Sequence, residues 1–286
     1  MKFCHSLLVS SKFIKCAEQL ESMILCSALS VAFIHSLGYK IKLYTNDLGK
    51  KLLDGIPYDE IIDIDFFDFI PETCYAQSKF AALELMDDDE VHIDYDVFIK
   101  SKTCIDLLKA STADVVVQYI YQVGSYKFES SLKAINFFKM LGLIDIDYSI
   151  DRIGFNAGII CIKNKKLKKE FINAYKSFYK DGYDVIKQID KTGFILDSYA
   201  EEVQMMDIIQ DKKYSVYSLF GDLRNDNEQL SNASLLAETV GYEHYCGPKH
   251  SFKLKLLENL KITDTSLYNI VEQKLQQFAN IILTNI

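Results

Sequence analysis

Across the first hundred residues, short apolar runs alternate with longer segments of helical pattern, which restricts the chain to a mainly parallel sheet covered by helices on both faces. The strand-like runs are residues 1–9, 40–44, 60–64 and 91–99. Between them, residues 18–37 read as a helix ended by Gly38, and residues 48–53 as a short helix after the turn-prone Asn46-Asp47-Leu48-Gly49. Residues 77–86 read as a helix introduced by Pro71-Glu72-Thr73. The second half is less regular. Residues 114–121, 153–162 and 214–219 read as strands, and residues 130–140, 167–179, 199–209 and 267–283 as helices. Residues 222–234 are polar and are expected to form a loop. No repeat, low-complexity tract or linker interrupts the chain, and it holds only 3 Pro, so the expectation is one continuous domain over residues 1–286. It would comprise a half ending in the strand at 91–99 (residues 1–100), a second half (101–251) and a C-terminal helical extension (252–286).

Residues 22–39 lack Asp, Glu, Lys and Arg but carry Ser27, Ser30, His35, Ser36 and Gly38. A spanning helix wants about 20 predominantly apolar residues, so this stretch is expected to be a core helix. No signal-peptide layout precedes it. The formal net charge of -8 argues against general nucleic-acid binding, which depends on many Lys or Arg contacts to phosphate. The 7 Cys include no CxxC pair, which argues against a disulfide framework or a structural zinc site. The expected location is the cytoplasm.

The sharpest chemical signal is His92-Ile93-Asp94-Tyr95-Asp96. On one continuous strand Asp94 and Asp96 point to the same side, with Ile93 and Tyr95 facing the other way. At the carboxyl end of a strand in an open α/β sheet lies the usual ligand crevice. Two carboxylates there can hold Mg²⁺ or Mn²⁺ together with substrate phosphates. The alternative is a solvated acidic turn shared with Asp87, Asp88, Asp89 and Glu90. Asp63-Ile64-Asp65 has the same form; Val91 before the second motif and Val97-Phe98-Ile99 after it single that one out. Three other segments add to it. Gly154-Phe155-Asn156-Ala157-Gly158 precedes an apolar run, Glu201-Glu202-Val203-Gln204 lies in a helical stretch, and His244-Tyr245-Cys246-Gly247-Pro248-Lys249 offers an imidazole, a glycine and a lysine close together.

In this order the set resembles the GT-A glycosyltransferases, particularly the retaining galactosyl- and glycogenin-type family and a bacterial family of nucleotide-diphospho-sugar transferase-like proteins close to it. The resemblance runs from residue 1 to about residue 251. It implies a GT-A, Rossmann-like α/β fold in which Asp94, Asp96 and His244 coordinate Mn²⁺ or Mg²⁺ bridging a diphosphate. Lys249 would contact the diphosphate, with Gly247 allowing close approach. Asn156, Ala157 and Gly158 would line the donor-sugar and acceptor side. Lys79 would lie near the donor, and Thr45 and Asp47 would contact the base or ribose. Glu201, Glu202 and Gln204 are the candidates to face the reacting sugar carbon. The chain departs from the pattern at Tyr95, where a small residue is usual, and at Glu202-Val203-Gln204, where the retaining family has an adjacent acidic-Gln pair.

The implied activity is metal-dependent transfer of a sugar, with retention favoured, from a nucleotide-diphospho-sugar such as a UDP-sugar. The acceptor would be a glycan, a lipid-linked glycan or a protein. Two rivals stand beside it. One is a phosphatase of the haloacid-dehalogenase type with Asp94 as nucleophile, although Phe98 departs from that motif. The other is a non-catalytic nucleotide-sugar or glycan binding module, since fold alone does not guarantee activity.

Overall fold

The computed structural model of the chain describes residues 1–10, 17–123, 136–142, 153–182, 184, 197–223, 227–245 and 252–284. Its strands are β1 (Lys2–Leu7), β2 (Ile41–Thr45), β3 (Glu60–Asp63), β4 (Glu90–Ile93), β5 (Val97–Ile99), β6 (Val115–Gln122), β7 (Ile153–Ile162), β8 (Val216–Ser218), β9 (Asp222–Leu223) and β10 (Tyr242–His244). Its helices are α1 (Ala17–Ser36), α2 (Asp47–Leu53), α3 (Gln77–Leu85), α4 (Lys102–Ala110), α5 (Lys165–Asp181), α6 (Gln204–Lys212), α7 (Asn227–Thr239), α8 (Lys253–Thr263) and α9 (Thr265–Thr284). The main sheet runs β3-β2-β1-β4-β7-β6-β8, with β9 also on β6. All its pairings are parallel except those of β7, which lies antiparallel between β4 and β6. The expected mainly parallel α/β sheet is therefore present, and β5 and β10 form a separate antiparallel pair.

Strand alternation sends side chains to two cores. Phe3, Leu43, Val91 and Ile159 join one core with α1, α8 and α9. Cys4, Tyr44 and Ile160 join the other with α3, α5 and α6. Helix α1 is long and apolar enough to cross a membrane by length and composition, yet 67% of its most apolar window is buried inside the protein. It acts as a core helix, as its polar residues foretold, and Gly38 ends its turn with φ +82°. Ser30 on α1 donates to the carbonyl of Val97 and bonds His5 on β1, so one polar contact line crosses helix and strand.

Four differences from the sequence expectation matter for function. The run 91–99 is two strands, not one, because the chain turns at Asp94-Tyr95-Asp96, where the Val97 amide donates to the Asp94 carbonyl at 2.9 Å. Short polar side chains favour such turns. The polar stretch 222–234 is no simple loop: it holds β9 and the start of α7, whose polar composition suits an exposed helix as well as a loop. Helix α4 was absent from the expectation, although its signals are plain. Ser101 caps it by accepting from the Thr103 amide, and Cys104, Ile105 and Leu108 bury one face. Strand β10 was likewise not anticipated, because three residues carry too little pattern, whereas α8 falls within the expected C-terminal helical extension.

Candidate metal and donor site

The turn at Asp94 takes the chain out of the main sheet and into the small one. There β10 pairs with β5 in the register His244↔Val97, Glu243↔Phe98, Tyr242↔Ile99, and the Tyr245 amide extends the ladder to the Asp96 carbonyl at 3.1 Å. This pairing sets His244 beside the two aspartates. One ligand atom from each of Asp94, Asp96 and His244 lies within 4.8 Å of the others. His244 Nε2 is 3.5 Å from Asp96 Oδ1. The convergence anticipated for Asp94 and Asp96 is thus found, but a turn produces it rather than strand alternation. Asp96 is buried and Asp94 part-exposed, so the group opens toward solvent on the Asp94 side. Carboxylate oxygens with one imidazole nitrogen suit Mn²⁺ or Mg²⁺ better than a soft metal, and the residues fit the divalent cation expected there.

Behind the aspartates, the Asn-Ala-Gly segment of β7 forms a bulge. Val117 pairs with Ile160 and Tyr119 with Asn156, so Gln118 alone faces Ala157, Gly158 and Ile159. The bulge turns backbone carbonyls toward the site. The Asp94 amide donates to the Gly158 carbonyl at 2.9 Å, and Lys79 Nζ donates to the Ala157 carbonyl at 2.9 Å. Asn156 closes the bulge by accepting from the Gly158 amide at 3.0 Å. Gly158 is needed for space: a Cβ there would lie 2.5 Å from Gln118 Oε1 and 2.6 Å from His244 Nδ1. Gly154 serves Tyr121 in the same way, since a Cβ there would lie 2.7 Å from the Tyr121 hydroxyl oxygen.

Lys79 is buried and also pairs with Asp94 Oδ1 at 3.0 Å and with Glu201. Its three protons therefore meet three acceptors. Burial works to lower its pKa, but the charges of Asp94 and Glu201 hold it above the ordinary value. Its helix is held in place from below. Phe80 stacks on Tyr175 of α5 at 3.7 Å between centroids. Asp197 accepts from the Ala76 amide at 3.1 Å and from the Tyr179 hydroxyl at 3.0 Å. Burial pushes the Asp197 carboxyl well above the usual carboxylate range.

Glu201 and Glu202 sit on a π-helical turn, Ser198–Val203, just before α6, and the Gln204 amide reaches the Tyr199 carbonyl. Such turns are frequent at functional sites. Burial raises the Glu201 carboxyl against the pull of Lys79. Glu202 accepts from the Tyr121 hydroxyl at 2.6 Å. Desolvation by the surrounding protein, then the charge of Glu201, pushes the Glu202 carboxyl up to about 8. A raised carboxylate pKa means that the native state holds a proton the unfolded chain releases. Its contribution to stability is present below about pH 4.5 and is lost as pH rises through about 8. Melting curves of metal-free protein across that window should fall with pH, and Glu202→Gln should remove that component of the fall. An identical pH profile in the variant would show that Glu202 is ionised throughout.

Thr45 is buried with its hydroxyl donating to the Leu7 carbonyl, while Asp47 is exposed at the start of α2. Gln204 has its amide oxygen buried without a hydrogen-bond partner among the described residues. Gly247 and Lys249 lie outside the described residues. Gln118, Tyr121 and Asp197 were missed. Gln118 was legible as the lone polar side chain in Val115-Val116-Val117-Gln118, whereas the other two show no local signal. A cleft of about 600 Å³ adjoins His244 between β6, β10 and α7, lined by Gln118, Tyr119, Phe220, Glu238 and Lys255 among others.

The family described as "Family of unknown function (DUF6734)" matches residues 1–274. None of the curated proteins matches the chain. Among solved structures, the galactosyltransferase LgtC, crystallised with donor and acceptor sugar analogs, superposes with a TM-score of 0.50 at 14% identity, covering 91% of this chain and 95% of LgtC. Mouse xyloside xylosyltransferase 1 in its apo form gives a TM-score of 0.41 at 12% identity, over 86% of this chain and 97% of its own. The inositol-1-phosphate CTP transferase from T. maritima gives 0.37 at 13% identity, over 83% and 97%. The fold is that of the GT-A, nucleotide-sugar transferase-like proteins.

Proposed function

The chain belongs to the DUF6734 family, and from that premise we propose that it is a metal-dependent glycosyltransferase using a nucleotide-diphospho-sugar donor, with a UDP-sugar the first candidate. The observation that carries this reading is the convergence of Asp94, Asp96 and His244 within 4.8 Å at the end of β4 in a GT-A fold. A bound divalent cation would supply Lewis-acid stabilisation of the departing diphosphate. Asp94, Asp96 and His244 would hold that cation. Lys79 keeps Asp94 in place and partly neutralises the carboxylates around it. Lys249 is proposed to contact the diphosphate, with Gly247 giving it access. Asn156, Ala157 and Gly158 are proposed to border the donor sugar. Thr45 and Asp47 remain the candidates nearest the base.

Glu201 is held by Lys79, and Glu202 keeps its proton at neutral pH, so neither stands as a free carboxylate base. An inverting transferase needs such a base near the acceptor hydroxyl; the arrangement favours retention, with Glu202 offering a hydrogen bond to a sugar oxygen. The cleft of about 600 Å³ beside His244 is the size of an ordinary small-molecule site and is the proposed seat of the acceptor. The phosphatase reading needs a different scaffold around its nucleophile, and Lys79 already engages Asp94.

The deciding experiment is thermal unfolding with UDP, GDP, ADP and their sugars, each with and without Mn²⁺. A ligand present at 100 times its Kd adds about 2.7 kcal/mol to the native state, which is roughly 5 °C for a chain of this size. A rise with one nucleotide that requires Mn²⁺ is the expected result. No rise with any nucleotide, but a rise with Mg²⁺ and a phosphate mimic, would replace the transferase with the phosphatase.

A further inference from the structure

We propose that Gln118 is a positioning residue that fixes which nitrogen of His244 faces the aspartates. A neutral imidazole carries one proton, and the partner of one nitrogen decides the state of the other. Here His244 Nδ1 lies 2.9 Å from Gln118 Oε1, and that oxygen can only accept. With the Gln118 oxygen turned to the ring, the proton is assigned to Nδ1, which leaves the lone pair on Nε2, 3.5 Å from Asp96 Oδ1. The contact is built in. Gln118 is buried, stands alone opposite the bulge of β7, and its oxygen occupies the space that a side chain on Gly158 would take. The third residue of the Asn-Ala-Gly segment thus acts through Gln118 and His244: by having no side chain, it admits both the acceptor and the ring. Metal-binding histidines commonly rely on such a partner for their second nitrogen, and losing it lowers metal affinity by about 10–100-fold.

The inference rests on the metal reading of the site for its purpose but not for its test. His244 can be examined in metal-free protein by long-range ¹⁵N–¹H correlation of the imidazole at about pH 8.5, where an ordinary histidine is neutral. Wild type should carry the proton on Nδ1. Gln118→Glu keeps an acceptor and should keep that tautomer. Gln118→Leu removes it and should populate the Nε2–H form. Mn²⁺ titration, followed by the paramagnetic resonance of the free ion, should show affinity lowered about 10–100-fold in the Leu variant and close to wild type in the Glu variant. A proton on Nε2 in wild type would overturn the assignment, as would a Leu variant with the wild-type tautomer and affinity. Should the Leu variant fail to fold, the wild-type tautomer decides. If the tautomers follow expectation but wild type binds no Mn²⁺, Gln118 keeps its role and the metal-dependent transferase falls.

Discussion

Asp94→Asn should abolish metal-stimulated turnover while leaving the fold intact. The amide keeps the size of the side chain but removes the anionic oxygens that a hard divalent cation prefers. Electrostatic stabilisation of a departing group by one such contact is typically worth about 10²–10³ in rate, so the loss should be of at least that order. The fold should survive because the Asp94 backbone, through its bonds to Gly158 and Val97, makes the turn without the carboxylate. Lys79 also retains Glu201 and the Ala157 carbonyl. The measurement pairs Mn²⁺ affinity and turnover with the melting temperature in metal-free buffer. Full activity in the variant would remove the site; lost activity with a collapsed melting temperature would make Asp94 structural.

Lys79→Met should have the largest effect on stability. It leaves the buried Glu201 facing Asp94 with no cation between them. Breaking a buried pair by removing one partner costs about 3–5 kcal/mol, chiefly because the remaining charge is stranded. At roughly 2 °C per kcal/mol for a chain of this size, the melting temperature should fall by about 6–10 °C. Replacing both partners removes the stranded charge, so Lys79→Met with Glu201→Leu should recover most of the loss. Stability scans of the four proteins form a double-mutant cycle. Strict additivity would mean that Lys79 and Glu201 do not stabilise each other, leaving Asp94 and the Ala157 carbonyl as the partners that hold Lys79.

Most strands of the first half were legible because β1, β2, β4 and β5 are largely buried runs bounded by turn residues, as in 40–44 before Asn46, whereas β3 lies mostly exposed at the edge of the sheet. Asp94 and Asp96 were legible because polar residues inside an apolar frame stand out. The reason for their convergence was not: alternation along one strand and a tight turn between two strands place the carboxylates on one side alike, and only the partner strand distinguishes them. That partner, β10, is three residues long. Lys79 was singled out by position, but its three acceptors come from the turn after β4, the bulge of β7 and the π-helical turn. Gln118 stands out as the lone polar side chain after three valines, but only the bulge of β7 shows what it faces.

The short ladder between β5 and β10 has a consequence for how the site comes into being. The two aspartates and His244 are separated by about 150 residues of chain and meet through three residue pairs. Side chains along a strand alternate faces, so a slip of a single residue in that ladder would swing the imidazole to the opposite side and leave Glu243 or Tyr245 in its place. Contacts of such long sequence separation are slow to form. If the proposed cation binds there, its capture would report that this ladder has locked in register: a growing or misregistered chain carries both aspartates long before it can offer the nitrogen.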